Sequence, residues 1–348
     1  MSDADRASAV ALRLSLAVLV AAAVVVAAWT VPVLTAPTPT DEGLSTPEYA
    51  PENVSTTAVP AAGTVESDPS VGTPGGVVVI DDDHANRFDQ ATIDPLVTEL
   101  VETGYTVRIH EGERDLQTVL AGADTYVVID PSGAHTPDEV ATIREFTDAG
   151  GHLLLVGEPT RRTVSTSIAG ASVSDQESRL TPLTTEYGML LGTPYLYNTG
   201  ANVGSYKHVA VRPTPESDLT FDRAALFTAA PVRSDGGTVL LRAAPDTVES
   251  GQDTVGQHAV AVRKSSEGVL LVGDASFLAA DRYNVADNEQ FLAALVEFLK
   301  RGAAPPQSFG EDDTTDDDAA TPDEDGTPTA DDDGTATADS EQPAALVA

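Results

Sequence analysis

Cysteine is absent from the 348 residues. Disulfides, thiolate zinc sites, iron-sulfur clusters and a cysteine nucleophile are excluded with it. Lysine is nearly absent too: Lys207, Lys264 and Lys300 are the only three among 19 basic residues, which face 55 acidic ones for a net charge of -36. A balance of this sign repels phosphate backbones, and no nucleic-acid partner is expected. No basic residue occurs between Arg13 and Arg87, and tryptophan occurs once, at Trp29. No glycine-rich loop ends in Gly-Lys-Ser/Thr, which excludes a P-loop, and the missing Gly-x-Ser-x-Gly elbow speaks against an α/β-hydrolase.

An aspartate-rich, lysine-poor surface is what proteins carry in concentrated salt, where the screening length falls to about 3 Å and like charges scarcely repel. The composition reads as that of an extreme halophile, of archaeal type. It accounts for the charge without invoking function.

Residues 14–34, LSLAVLVAAAVVVAAWTVPVL, form an uncharged apolar run. As a helix it spans about 30 Å, one hydrocarbon core. Arg6 and Arg13 precede it, so the N-terminal segment 1–13 is expected in the cytoplasm, with everything after the span outside. A cleaved signal peptide is the alternative; the length of the run and the Ala36-Pro37 pair weigh against it. The chain is therefore expected at the cell membrane, single-pass, with an extracellular C-terminal domain and a membrane-protein partner.

Residues 37–74 carry seven prolines and six acids but no base, and read as a disordered stalk. Asn53-Val54-Ser55 within it is a glycosylation sequon of small weight. Residues 302–348 carry 14 acids and no base, and read as a disordered acidic tail. The folded part is expected over 75–301.

Within it, the apolar runs Val77 to Ile80, Tyr126 to Ile129, Leu153 to Val156 and Val269 to Val272 lack alternation, as strands buried on both faces do, and Tyr105 to Ile109 is read with them as a core strand. Helical spacing links them: Ile93, Leu96, Val97, Leu100 and Val101, then Arg114 to Ala121, then a helix opened by Thr136-Pro137-Asp138-Glu139 and closed by Gly150-Gly151. A last helix is predicted from Asp287, with Gln290 in the return position of a capping box. The pattern predicts an α/β fold with a doubly wound, mostly parallel sheet. An insert at 160–266, with strands near Lys207 to Arg212, Gly237 to Arg242 and His258 to Arg263, precedes the last core strand.

Ligands of open α/β sheets bind beyond the carboxyl ends of the strands. Those ends carry Asp81, Asp83 and His84, then His110, Asp130, Glu158 and Asp274. Such residues cap helices, hold a ligand or a divalent cation, or share a proton between carboxylate and imidazole. Asp81, Asp83, His84 and Asp274 form the candidate set for a metal-dependent hydrolase. The other histidines, His135, His152, His208 and His258, read as structural. Tyr187, Tyr195, Tyr197 and Tyr206 offer stacking faces for a sugar, or a core for the insert. VVVIDDDHAN departs from the haloacid-dehalogenase phosphatase start at Ala85 and Asn86.

VVVIDDDHANRFD, ETGYTVR, FTDAGGHLLLVGEP, GVLLVGDASFL and DNEQFLAALVEFL together resemble a haloarchaeal family of membrane-anchored proteins with a domain of unknown function. That family is similar in fold to class I glutamine amidotransferases and to extracytoplasmic domains of gliding-motility and ABC-transporter auxiliary proteins. The resemblance implies an amidotransferase-like fold over about residues 76–300. It implies no amidotransferase chemistry, because Glu158, Pro159 and Thr160 stand where the cysteine would be. Many relatives have a second, C-terminal span, which the acidic tail replaces here. The reading is a non-catalytic binding or scaffolding domain, accessory to a transporter or envelope assembly, with no cofactor.

Overall fold

The computed structural model describes residues 63–72, 74–167, 170–252, 254–306 and 309. The expected membrane span, the segment before it, and most of the stalk and tail lie outside these residues. Among the described residues no helix is long and apolar enough to cross a membrane.

Nine strands form one sheet: β1 (Val77–Asp81), β2 (Thr106–His110), β3 (Thr125–Ile129), β4 (His152–Val156), β5 (His208–Pro213), β6 (Ala224–Phe227), β7 (Thr238–Ala243), β8 (Ala259–Lys264) and β9 (Val269–Val272). Their spatial order is β6-β5-β7-β8-β9-β4-β3-β1-β2. From β9 to β2 all neighbours run parallel, and the strands beyond β9 are antiparallel. The strands expected within the insert thus form, and they extend the core sheet rather than standing apart from it.

Among the described residues five α-helices accompany the sheet: α1 (Gln90–Glu102), α2 (Leu116–Leu120), α3 (Pro137–Asp148), α4 (Thr181–Glu186) and α5 (Asn288–Leu299). Side chains alternate along a strand, so each strand feeds two layers. Val78, Ile80, Val127 and Leu154 pack with α1 and α5, while Val79, Tyr126, Val128 and Leu155 pack with α2, α3 and α4. Burial on both faces explains why β1, β3, β4 and β9 are unbroken apolar runs. β2 departs from that expectation: it lies at the sheet's edge, and Ile109 is 44% exposed.

The helix termini follow local chemistry. Asp89 caps α1, its carboxylate accepting the Thr92 N–H at 2.9 Å. Pro95 cannot donate to the Ala91 carbonyl inside α1, and that carbonyl accepts the Ala280 N–H instead. The expected capping box of α3 is present, with Thr136 bonded to the Glu139 N–H and Glu139 returning to the Thr136 N–H. Gly150, at φ 104°, closes α3: Gly150 N–H reaches Thr147 and Gly151 N–H reaches Phe146, a Schellman pair. The box expected at α5 does not form. Asp287 instead accepts the Asp222 and Arg223 N–H groups, tying α5 to the approach of β6.

The expected stalk ends earlier than residue 74. Residues 63–72 lie on the domain, where the Ser67 N–H and hydroxyl donate to Glu99 at 2.9 and 2.6 Å and Lys300 donates to the Asp68 carbonyl at 2.9 Å. Glu99 and Lys300 are both buried, so polar partners from this strap satisfy charges that the sheet and helices leave over.

Candidate functional site

The chain leaves β1, builds β2 on one side of it, and returns to build β3 on the other. The order therefore reverses between β1 and β3, which places a crevice at their carboxyl ends. The β1–α1 and β3–α3 loops line it and are fastened to each other. Ser132 and Gly133 donate their N–H groups to the His84 carbonyl, Ser132 Oγ donates to the Ala85 carbonyl, and Asn86 Nδ2 donates to the Ile129 carbonyl. Arg87 clamps Asp130 through two bonds of 3.0 and 2.6 Å. Ala85 and Asp130 hold positive φ of 49° and 40°, a strain that this fastening sustains.

Asp81, at the last position of β1, is wholly buried. Its Oδ1 accepts the Tyr126 hydroxyl at 2.8 Å, and both carboxylate oxygens lie 3.0 to 3.1 Å from His84 Nδ1. His84 Nε2 stands 3.4 Å from Glu139 Oε2, and Glu139 is itself held by Thr136 at 2.7 and 2.8 Å. The His135 ring stacks on His84 with centroids 3.6 Å apart, and its Nε2 is 3.9 Å from Asp81 Oδ2.

Burial opposes charge on His84, but the hydrogen bond and charge of Asp81, with Glu139 behind, outweigh it and raise the imidazole above its ordinary value. Asp81 answers in the opposite direction: burial would raise it, and the His84 contact holds it low. His135 is pushed down to about 4, first by burial and then by the neighbouring His84 charge. The His135 side chain is fully covered, and neither ring nitrogen has a hydrogen-bond partner. Leaving such a group unpaired costs about 1–3 kcal/mol.

A second cluster lies at the ends of β4 and β9. Glu158 Oε1 accepts the Ala275 N–H, the Ser276 N–H and the Ser276 hydroxyl at 3.1, 2.8 and 2.7 Å, and Oε2 pairs with Arg161 at 2.8 Å. Asp274 accepts the Phe227 and Ser276 N–H groups. Burial pushes the Asp274 carboxyl well above the usual range, and the Glu158 charge adds to it. These carboxyls are occupied in joining β4, β9 and β6.

A family model for a domain of unknown function, DUF4350, matches residues 95–296, more than half of the chain. The chain belongs to this family. The match opens inside α1, so it covers His135, Glu139, Glu158 and Asp274 and leaves β1, with Asp81 and His84, ahead of it. No curated protein sequence matches this DUF4350 chain. Among solved structures, the mmIFT52 N-terminal domain is similar at 11% identity and TM-score 0.50, over 64% of this chain and 97% of that one. A ThuA-like protein from Bacteroides uniformis is similar at 11% identity and TM-score 0.40, over 70% and 99%. A glutamine amido transferase from Methylobacillus flagellatus is similar at 13% identity and TM-score 0.30, over 66% and 93%. At 11% identity the likeness to the mmIFT52 domain is one of fold alone.

The DUF4350 domain does not assemble the expected edge as one site. Asp81 and His84 meet in the crevice. Asp130 is taken by Arg87, and Glu158 and Asp274 belong to the second cluster. Asp83 is exposed, and no hydrogen bond joins His110 to the Asp81 cluster. The four-residue set Asp81, Asp83, His84 and Asp274 is therefore divided, because β4 and β3 lie between β9 and β1. His135, assigned a structural role from sequence, belongs to the site, as do Tyr126 and Glu139. His135 stands just before the Thr136 cap, in the loop after β3, a position that does not by itself distinguish it from a structural histidine. His152, His208 and His258 do take structural roles, each bonded to a backbone carbonyl. Tyr187 is buried against Thr147, so it offers no stacking face, whereas the Tyr197 ring lies 6.2 Å from each of the Tyr195 and Tyr206 rings, with Lys207 over those two.

Proposed function

We propose that this DUF4350 chain is a single-pass membrane protein presenting an extracytoplasmic binding domain, without hydrolytic chemistry, as an accessory to a transporter or envelope assembly, and that its ligand site is the β1–β3 crevice. The observation that carries the site is His135, a covered imidazole with two unpartnered nitrogens against the Asp81–His84 pair. A buried polar group left unpaired beside a charged pair is explained by a bound partner. The apolar run at 14–34 and the basic residues before it support the anchor and its orientation. The commitment of Glu158 to the Ala275 and Ser276 amides supports a non-catalytic turn where amidotransferases carry their nucleophile.

The test has two arms. Co-purification of the full chain from native membranes is expected to yield a stoichiometric membrane-protein partner. Small-ligand thermal-shift screening is expected to give stabilisation that His135→Phe removes. A hydrolase activity of the purified chain that His84→Ala abolishes would overturn the reading. Stabilisation by oligosaccharides that survives His135→Phe but is lost in Tyr206→Ala would move the ligand site to the tyrosine group.

A further inference from the structure

We propose that Asp81, His84 and His135 bind one divalent first-row transition-metal ion, with zinc the expected occupant. The inference rests on the crevice being the ligand site, and it names the ligand's class.

One ligand atom from each of the three residues lies within 4.8 Å of the others. An ion with bonds of about 2.0–2.1 Å holds tetrahedral neighbours about 3.4 Å apart, so the separations of 3.0 Å (Asp81 to His84) and 3.9 Å (Asp81 to His135) straddle the required spacing. Two imidazoles and a carboxylate suit zinc and its first-row neighbours; magnesium and calcium favour oxygen alone.

The groups around these three are placed as outer supports of a metal site are. Tyr126 occupies Asp81 Oδ1, which leaves Oδ2 facing His135. Glu139 sits at His84 Nε2, where it can accept the ring N–H, so that an ion displacing the Nδ1 proton would find the Nδ1 lone pair directed at the carboxylate. At 3.0 Å a proton joins the two groups in the charged pair, and a cation bound by both would take that proton's place. Carboxylate behind histidine behind metal is the arrangement that fixes tautomer and ring orientation. Thr136 fixes the carboxylate in turn.

His135 supplies the independent observation. Its ring is covered, both nitrogens lack partners, and the nearer one faces Asp81 Oδ2. A structural histidine in this fold bonds a backbone carbonyl, as His152 does at 2.8 Å. An ion lies in the plane of each ring that ligates it, so rings stacked 3.6 Å apart must open as the ion enters. The three residues leave one tetrahedral position for water or for a donor from a partner.

The full chain, stripped with chelator and dialysed against zinc chloride, is expected to retain one zinc per chain by elemental analysis and to melt higher. Cobalt substitution is expected to give the visible absorption of a four-coordinate nitrogen and oxygen site. His135→Phe, His84→Ala and Asp81→Asn should each lose the stoichiometric ion. Glu139→Gln, which keeps all three ligands, should weaken zinc binding about 10- to 100-fold. His258→Ala, which removes a histidine bonded to Glu249 elsewhere in the domain, should bind as the native chain does.

Retention of equal zinc by native chain and His135→Phe would assign the metal to the acidic surface and overturn the proposal. If no metal is retained, yet organic ligands give a thermal shift that His135→Phe removes, the metal assignment fails and the crevice remains the ligand site. If neither metal nor organic ligand responds to His135→Phe, both readings fail.

Discussion

Glu158 and Asp274 are the clearest case of a residue's environment setting its chemistry. Burial, and then the Glu158 charge, raise the Asp274 carboxyl; burial also raises Glu158, against the opposing pull of Arg161 and Ser276. A carboxyl raised in the folded state keeps protons that the unfolded chain has released. The stability it contributes is full below the unfolded values near 3.8 and 4.5 and is lost as pH rises through the folded values. Glu158→Gln removes the repelling charge. Its unfolding free energy is expected to gain on the native chain's as pH rises from about 4 to about 8, measured by urea titration at each pH. Parallel curves would show that the two carboxyls do not interact.

At the same scale, sequence alone singled out Asp81 and His84 because they close a strand. It gave no reason to prefer Asp81 to Asp274, which also closes one. His135 carried no mark at all, since a histidine before a helix cap is ordinary until a second strand's loop comes to lie against it. Side-chain identity was legible; side-chain company was not.

Among the elements, α3 joins local stability to the site. Thr136 caps the helix and also holds Glu139, which faces His84. Thr136→Ala is expected to lower stability by about 1 kcal/mol in chemical denaturation. It should also weaken zinc binding in the direction of Glu139→Gln, read by competition with a chromogenic chelator. A stability loss with unchanged zinc affinity would separate the cap from the site.

The element pattern shows where local sequence suffices. α3 was legible down to its capping box and closing glycines, because its signals are neighbours along the chain. α5 carried a similar signal, Asp287 with Gln290, and a tertiary demand overrode it: the Asp287 carboxylate serves the Asp222 and Arg223 N–H groups. β2 read as a core strand because its apolar residues resemble those of β1. Only the strand order places it at the edge.

For the molecule as a whole, the strap at 63–72 and the charge carry separate expectations. A chain beginning at residue 75 loses the Ser67 and Asp68 partners of buried Glu99 and Lys300. Hydrogen bonds to charged groups contribute about 1.5–3 kcal/mol each. At about 2–4 °C per kcal/mol for a domain of this size, it should melt several degrees below a chain beginning at residue 63 in the same buffer. Equal melting temperatures would show that the strap only rests on the surface.

Residues 75–301 hold 33 acidic side chains against 17 basic ones. Raising salt from about 0.1 M to about 1 M cuts the screening length from about 10 to about 3 Å, so the melting temperature is expected to rise with sodium chloride. A fall would argue that paired charges, such as Arg87 with Asp130, outweigh the net repulsion.

The amino-acid sequence by itself determined the layers. Apolar runs without alternation, caps and glycine stops are instructions a few residues long, and they specified buried strands, covering helices and the chemistry excluded by the missing cysteine. The tertiary structure alone decided the strand order, and with it the crevice between β1 and β3, the separation of Asp274 from Asp81, and the recruitment of His135. The physical reason is range. A cap acts across one helical turn, whereas a buried site is made by segments more than forty residues apart whose meeting depends on how the whole sheet is threaded.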